Sequence, residues 1–252
     1  MKGTFFQSPL ELNLTVEGET WVQGSTLNGA LVLKNRGSAP VTADGIRVVL
    51  ARGDLKKAKL KKPGAFALLQ ETLTSGFATF EPGQDFSFSW SFKTDLNAPV
   101  TDSLSSLFVL VGRGDALETY GSLQLNFQPA PVIQEWVRIF LANHHFAFRF
   151  YKGSKGHVEA KLGAPSGQAF ASLDHLVVSF SFVGTTLTAE SEFHLKKVEA
   201  TAASFDVKKH VKSISHTLNE VQYLTSSGRI HFESIEAAVA EAVALVESKI
   251  LF

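Results

Sequence analysis

Between residues 85 and 93 the chain alternates strictly: Phe86, Phe88, Trp90 and Phe92 take every second position, with Ser87, Ser89, Ser91 and Lys93 between them. Successive side chains of a strand point to opposite faces, so this spacing predicts a strand with one aromatic, buried face and one wet face. Glu81-Pro82-Gly83 just before it fits a type II turn, since proline pre-sets the first angle and glycine accepts the positive one. The same period of two recurs at Leu10, Leu12, Leu14 and Val16, at Leu27, Leu31 and Leu33 across Gly29, at Ile46, Val48 and Leu50, and at Leu123, Leu125 and Phe127. Residues 107–111 are apolar without alternation, which predicts a strand buried on both faces. Breakers at Asn35-Arg36-Gly37-Ser38 and Gly112-Arg113-Gly114-Asp115 separate these segments. Short strands at such intervals, mostly without helix-length segments between them, predict an antiparallel sandwich over residues 1–128.

Gln128-Pro129-Ala130-Pro131 marks a boundary, because two prolines forbid a continued central strand. A second domain is expected over 129–252. Pro131 suits the first position of a linker helix at about 131–142, whose Val132, Trp136, Ile139 and Phe140 share a face. Strands follow at Phe146, Phe148 and Phe150 and at Leu176, Val178, Phe180 and Phe182, with a tight reversal at Gly184 and a returning strand through Leu187, Ala189, Phe193 and Leu195. Beyond residue 203, Val207, Val211, Ile214, Leu218 and Val221 are spaced by four and three, which predicts a helix. A last helix is expected over about 234–250, capped by Ser234, with Ile235, Ala238, Val239, Ala242, Val246 and Ile250 on one face and Glu236, Glu241 and Glu247 on the other. Its apolar face either covers its own domain or meets a partner or a second copy.

Composition places the chain among folded globular proteins: 252 residues, 44% hydrophobic, 19% charged, with 21 Phe. Lys plus Arg equals Asp plus Glu at 24 each, so bulk charge calls for no nucleic acid. With no Cys, disulfides, thiolate catalysis and the usual zinc sites are all excluded. The first residues lack the charged start and apolar run of a signal peptide, and polar residues interrupt every apolar stretch well short of about 18 residues, so a cytoplasmic protein without a transmembrane segment is expected.

Charge concentrates at one place. Lys56, Lys57, Lys59, Lys61 and Lys62 fall within the seven positions 56–62. Such a run can hold an acidic or phosphorylated protein segment or make peripheral contact with an anionic membrane; lysines also protect an edge strand or loop against aggregation, and the sequence leaves both readings open. Arg52-Gly53-Asp54 and Arg113-Gly114-Asp115 spell an adhesion tripeptide that a cytoplasmic chain has no use for. All eight His lie at or beyond residue 144, where His144 and His145 are expected on a strand facing opposite ways, and no paired metal-ligand spacing occurs. Asn13-Leu14-Thr15 is a glycosylation sequon inside an expected strand. No Gly-x-Ser-x-Gly, Walker loop or other catalytic motif is present, so no catalytic residue, cofactor or metal is expected.

The order of elements resembles the bacterial sporulation-control family related to arrestins. The likeness rests on the opening strand 10–16, on Trp21-Val22-Gln23-Gly24-Ser25-Thr26-Leu27-Asn28-Gly29, on Ile46-Arg47-Val48-Val49-Leu50, and on Glu81-Pro82-Gly83 with its aromatic strand ending in Leu96-Asn97-Ala98-Pro99-Val100-Thr101. The 131–142 helix and Ser172-Leu173-Asp174-His175-Leu176-Val177-Val178-Ser179-Phe180 extend it into the second half. Gln23 and Asp95 stand where the family has proline. The resemblance implies a mainly β protein of two tandem arrestin-like antiparallel β-sandwich domains with a short inter-domain helix and a C-terminal helical segment. It further implies a non-enzymatic cytoplasmic adaptor or regulatory scaffold binding protein partners through sandwich faces, edge strands and loops. The alternatives are a β-sandwich that binds carbohydrate or lipid, and a structural protein self-assembling through its last helix.

Overall fold

The computed structural model describes residues 1–73, 79–154, 156–200 and 205–246. The chain divides into two compact units, Met1–Gln128 and Pro129–Phe252. The fold is mainly β, built from antiparallel sheets, with one parallel pair of short strands and few helices.

The first unit holds β1 (Lys2–Gln7), β2 (Leu10–Val16), β3 (Thr20–Val22), β4 (Thr26–Asn35), β5 (Val41–Thr42), β6 (Ile46–Asp54), the short helix α1 (Leu55–Lys59), β7 (Phe66–Leu73), β8 (Thr79–Phe80), β9 (Asp85–Lys93), β10 (Ser105–Arg113), β11 (Gly121–Gln124) and β12 (Asn126–Gln128). Two four-stranded sheets, ordered β1-β2-β4-β9 and β11-β10-β6-β7, face each other, and two small pairs, β3 with β12 and β5 with β8, complete the unit. The alternating residues build the core between the sheets: Leu12, Leu14 and Leu31 from one meet Ile46, Val48 and Val109 from the other, all fully buried. On β9, Trp90 and Phe92 are buried and Phe86 and Phe88 half-buried, while the intervening serines are exposed.

β10 is buried on both sides for a concrete reason. Leu107, Val109 and Val111 enter the core between the sheets, whereas Phe108 and Leu110 join Val49, Ala51 and Tyr120 in a second cluster on the outer face, over which Leu55 and Ala58 of α1 are laid. Gln23 has a role that proline cannot fill. Its buried amide donates to Ala98 O at 2.6 Å, and its backbone N–H donates to Gln128 O at 3.1 Å. Asp95 turns its own strap, accepting from Asn97 N at 2.6 Å.

The second unit begins with α2 (Pro131–His144), with Pro131 in its first turn as expected, and continues with β13 (Ala147–Ser154), β14 (His157–Gly163), β15 (Leu173–Val183), β16 (Thr186–Ala200), β17 (Phe205–Leu218), α3 (Glu220–Tyr223) and α4 (Phe232–Ala244). The five strands form one antiparallel sheet in chain order. Helices cover one of its faces: Trp136 of α2 meets Phe180 of β15 edge-on with ring centroids 6.0 Å apart. Asn143 ties α2 to α4 by donating to Glu236 Oε1 at 2.8 Å. His216 Nε2 of β17 lies 3.2 Å from Glu241 Oε2 of α4. The apolar face of α4, Ile235, Ala238, Val239, Ala242 and Val243, is therefore buried within its own unit.

Three expectations need correction. The helix predicted through Val211, Ile214 and Leu218 is β17, paired along its length with β16. Spacings of four and three change parity, so in a strand Val211 falls on the opposite face from Ile214 and Leu218, and Val211 is exposed. Pairing with β16 and the β-branched and hydroxyl content of 211–217 decide the outcome. The last helix starts at Phe232, two residues before Ser234, which instead lies 2.9 Å through its Oγ from His231 Nδ1; Glu247 and Ile250 lie outside the described residues. His144 ends α2 and His145 caps it in a left-handed conformation at φ 58°, so neither is on a strand.

Candidate functional site

The five lysines sit on a helix and the turn that closes it, not on a strand. Lys56, Lys57 and Lys59 belong to α1; Lys61 and Lys62 follow. Asp54 starts the helix by accepting from Lys57 N at 3.0 Å, and that hydrogen bond holds its carboxyl below the ordinary aspartate value. Three lysines in the last turn of a helix complement the partial negative charge of its exposed carbonyls. Lys61 then takes a left-handed conformation at φ 48°, and Lys62 N returns to Lys57 O at 3.0 Å, which caps the helix end. Leu104 O accepts from Leu55 N at 2.9 Å and Ala65 O from Asp54 N at 2.9 Å, fastening the segment at both ends.

Consequently the apolar residues Leu55 and Ala58 face the sheet, and all five lysines face outward, exposed. Among the described residues none of the five ammonium groups is engaged in an ion pair. Beside α1 lies a groove of about 520 Å³, with Leu55, Ala58 and Phe108 as an apolar floor, Lys56 and Lys59 on one side, and Ser103, Ser122 and Gln124 on the other. Cations, hydroxyls and an amide around an apolar floor suit an anionic ligand that also carries an apolar part. The lysines were legible as a run; the other polar groups come from β11 and from the loop before β10, far along the chain, and carry no local signal.

The other sequence candidates have structural places. Gly53 of the first Arg-Gly-Asp lies under Phe108, where a Cβ would stand 2.5 Å from the ring, and its Asp54 caps α1. In the second, Arg113 Nη2 donates to Thr42 O at 2.9 Å. Asn13 of the sequon lies on β2, where its side-chain amide donates to Glu11 Oε1 at 2.9 Å. The histidines disperse: His157 lies 3.1 Å from Glu159 Oε1, while His175 and His194 stack with centroids 4.2 Å apart and planes 8° from parallel. Partial burial and the neighbouring His175 push His194 below the usual imidazole value. Among the described residues no three His, Asp or Glu side chains converge on one point.

Asp174, beside this stack, accepts from Lys196 and from His175 Nδ1, and the Lys196 hydrogen bond leads in lowering its pKa to about 2. Because the unfolded carboxylate takes its proton near 3.8, the unfolded chain binds more protons between these values. The stabilisation is present above the unfolded value and is lost as pH falls through about 2. Asp174→Asn is expected to flatten this part of the acid limb, seen as a smaller drop in urea midpoint between pH 5 and pH 2 than in the parent chain.

No family model matches the chain, and no curated protein matches it. Among solved structures it is similar to Spo0M, the sporulation control protein from Bacillus subtilis, with a TM-score of 0.63 at 13% identity, over 95% of this chain and 100% of that one. It also matches E. coli alpha-2-macroglobulin at a TM-score of 0.28 and 12% identity, over 85% of this chain and 14% of that one. No helix among the described residues is long and apolar enough to cross a membrane. The likeness read from the residues is thus a likeness of fold: the chain shares the architecture of a sporulation control protein.

Proposed function

We propose that the chain is a non-enzymatic cytoplasmic adaptor or regulator that engages an acidic or phosphorylated segment of a protein partner at α1. One observation carries the reading: of five exposed lysines without ion pairs among the described residues, Lys56 and Lys59 border a groove with an apolar floor and further lining by Ser103, Ser122 and Gln124. A fold shared with a sporulation control protein supports a regulatory role. The lysine side chains contribute to the fold only through their surface charge at the end of α1, since the side of the helix packed on the sheet is Leu55 and Ala58.

Reversing two charges separates recognition from folding. Lys57→Glu with Lys61→Glu is expected to weaken capture of a partner from the native lysate by at least about tenfold at low salt, with the melting temperature unchanged within about 2 °C. Raising the salt is expected to weaken the parent chain's capture in the same direction. Equal capture by parent and variant at both salts overturns α1 as the site.

A further inference from the structure

The outer edge of the sheet on which α1 packs offers a second element of recognition. β7 is its terminal strand, and among the described residues it pairs with β6 alone. Natural edges are blunted by lysine, proline, inward charge or bulges because unpaired backbone groups template further strands, and β7 has of these only a single bulge. β7 reads Phe-Ala-Leu-Leu-Gln-Glu-Thr-Leu, without lysine or proline. Its Leu68, Leu69 and Leu73 are 47%, 44% and 52% exposed.

Leu69 is an extra residue in the ladder. Leu50 pairs with Gln70 and Ala51 with Leu68, so Leu69 is bulged out of register. Beside it opens a cavity of about 270 Å³ walled by Leu50, Leu69, Ala98, Pro99 and Leu107, with Asp95 among its polar lining residues. An edge strand with a lateral apolar pocket has what strand addition uses: backbone groups for affinity and a pocket for specificity. The charges give the added segment a direction. Ala65 N donates to Lys62 O at 3.1 Å, so the lysine turn meets the start of β7, whereas Asp95 lies by the cavity. Phe66 to Leu69 is three strand residues, about 10 Å at the usual rise.

We propose that β7 receives an extended acidic-apolar segment of another protein by strand addition, one apolar side chain entering the Leu69 cavity and carboxylates three to four positions away meeting Lys61 and Lys62. This rests on the adaptor reading and specifies how the partner docks. The test selects displayed random dodecapeptides on the full chain, then measures the enriched synthetic peptides against the parent, Leu69→Lys and the Lys57→Glu, Lys61→Glu variant. Leu69 is 44% exposed, so Leu69→Lys keeps the fold, which its melting curve checks. Expected are peptides pairing an apolar residue with acids three to four positions away, at least tenfold weaker on both variants, and slowed amide exchange along β7 on binding.

Binding lost on lysine reversal yet intact in Leu69→Lys, or exchange slowed elsewhere than β7, overturns strand addition and leaves the adaptor standing. Peptides indifferent to both changes, or no enrichment at all, overturn both. A parent chain that doubles in mass by light scattering, and a Leu69→Lys variant that does not, assigns the edge to a second copy and overturns the foreign segment.

Discussion

Trp136→Ala is expected to destabilise the second unit by about 4 kcal/mol. The indole is 1% exposed and fully enclosed, edge-on to Phe180 and 6.4 Å from the His216 ring, so its removal leaves a cavity where α2 meets the sheet. Helix and strand are both fixed by other contacts, Asn143 to Glu236 and the β14 to β16 ladders, and cannot collapse into the gap. Against total stabilities of about 5 to 15 kcal/mol, that loss leaves the unit marginal. The indole N–H adds a second, opposite effect, because it is buried without a hydrogen-bond partner. Trp136→Phe removes that orphan donor together with some volume, and is expected to cost less than about 1.5 kcal/mol. Urea unfolding of both variants, followed by amide exchange assigned to β14 and β15, checks the pair. A cost below about 1 kcal/mol for Trp136→Ala would show that α2 is not the lid of this sheet.

The ease of placing Trp136 from sequence, and the difficulty elsewhere, have one physical origin. Period two and period 3.6 were legible wherever one face is buried and the other wet, as at β2, β9, β15 and α2. At β17 the signal inverts. It is an edge strand whose exposed side carries Val211 and whose covered side carries His216, so burial does not sort its residues by polarity, and the sporadic valines imitate a helix. At His145 a left-handed cap is filled by histidine rather than glycine or asparagine, and the helix end gave no sign. The lysines were visible because five of them fall within seven positions, but their helix depends on Asp54 and Leu104, and the groove on Ser103, Ser122 and Gln124. Such groups meet only through the sandwich topology. Gln23 makes the same point in reverse: as a letter it breaks a family pattern, while in space it joins β3 to the strap at Ala98 and to β12.

Gly29→Ala is expected to cost the first unit about 3 kcal/mol, at the upper end of overpacking penalties, although alanine is the better strand residue by about 0.5 to 1 kcal/mol. Gly29 lies mid-strand in β4, between Val16 of β2 and Trp90 of β9. A Cβ there would stand 2.2 Å from Thr15 O and 2.2 Å from the Trp90 ring. Neither neighbour can yield. Thr15 is locked in a ladder between β1 and β4, and Trp90 is 4% exposed with Phe92 against it at 5.3 Å. Glycine is thus the cavity into which Trp90 packs, and the aromatic strand owes its burial to a missing side chain on the strand beside it. Gly83→Ala is the control: its φ is +80° but nothing stands within 4 Å, so only backbone strain of about 1 to 2 kcal/mol is expected. A double-mutant cycle separates the two contacts. If the ring contributes to the clash, Gly29→Ala in a Trp90→Ala background costs less than in the parent, with a coupling of at least about 1 kcal/mol, and the remainder belongs to Thr15 O. Additive costs would place the whole penalty on the backbone contact, and equal costs for Gly29→Ala and Gly83→Ala would mean that Trp90 does not rest on Gly29 at all.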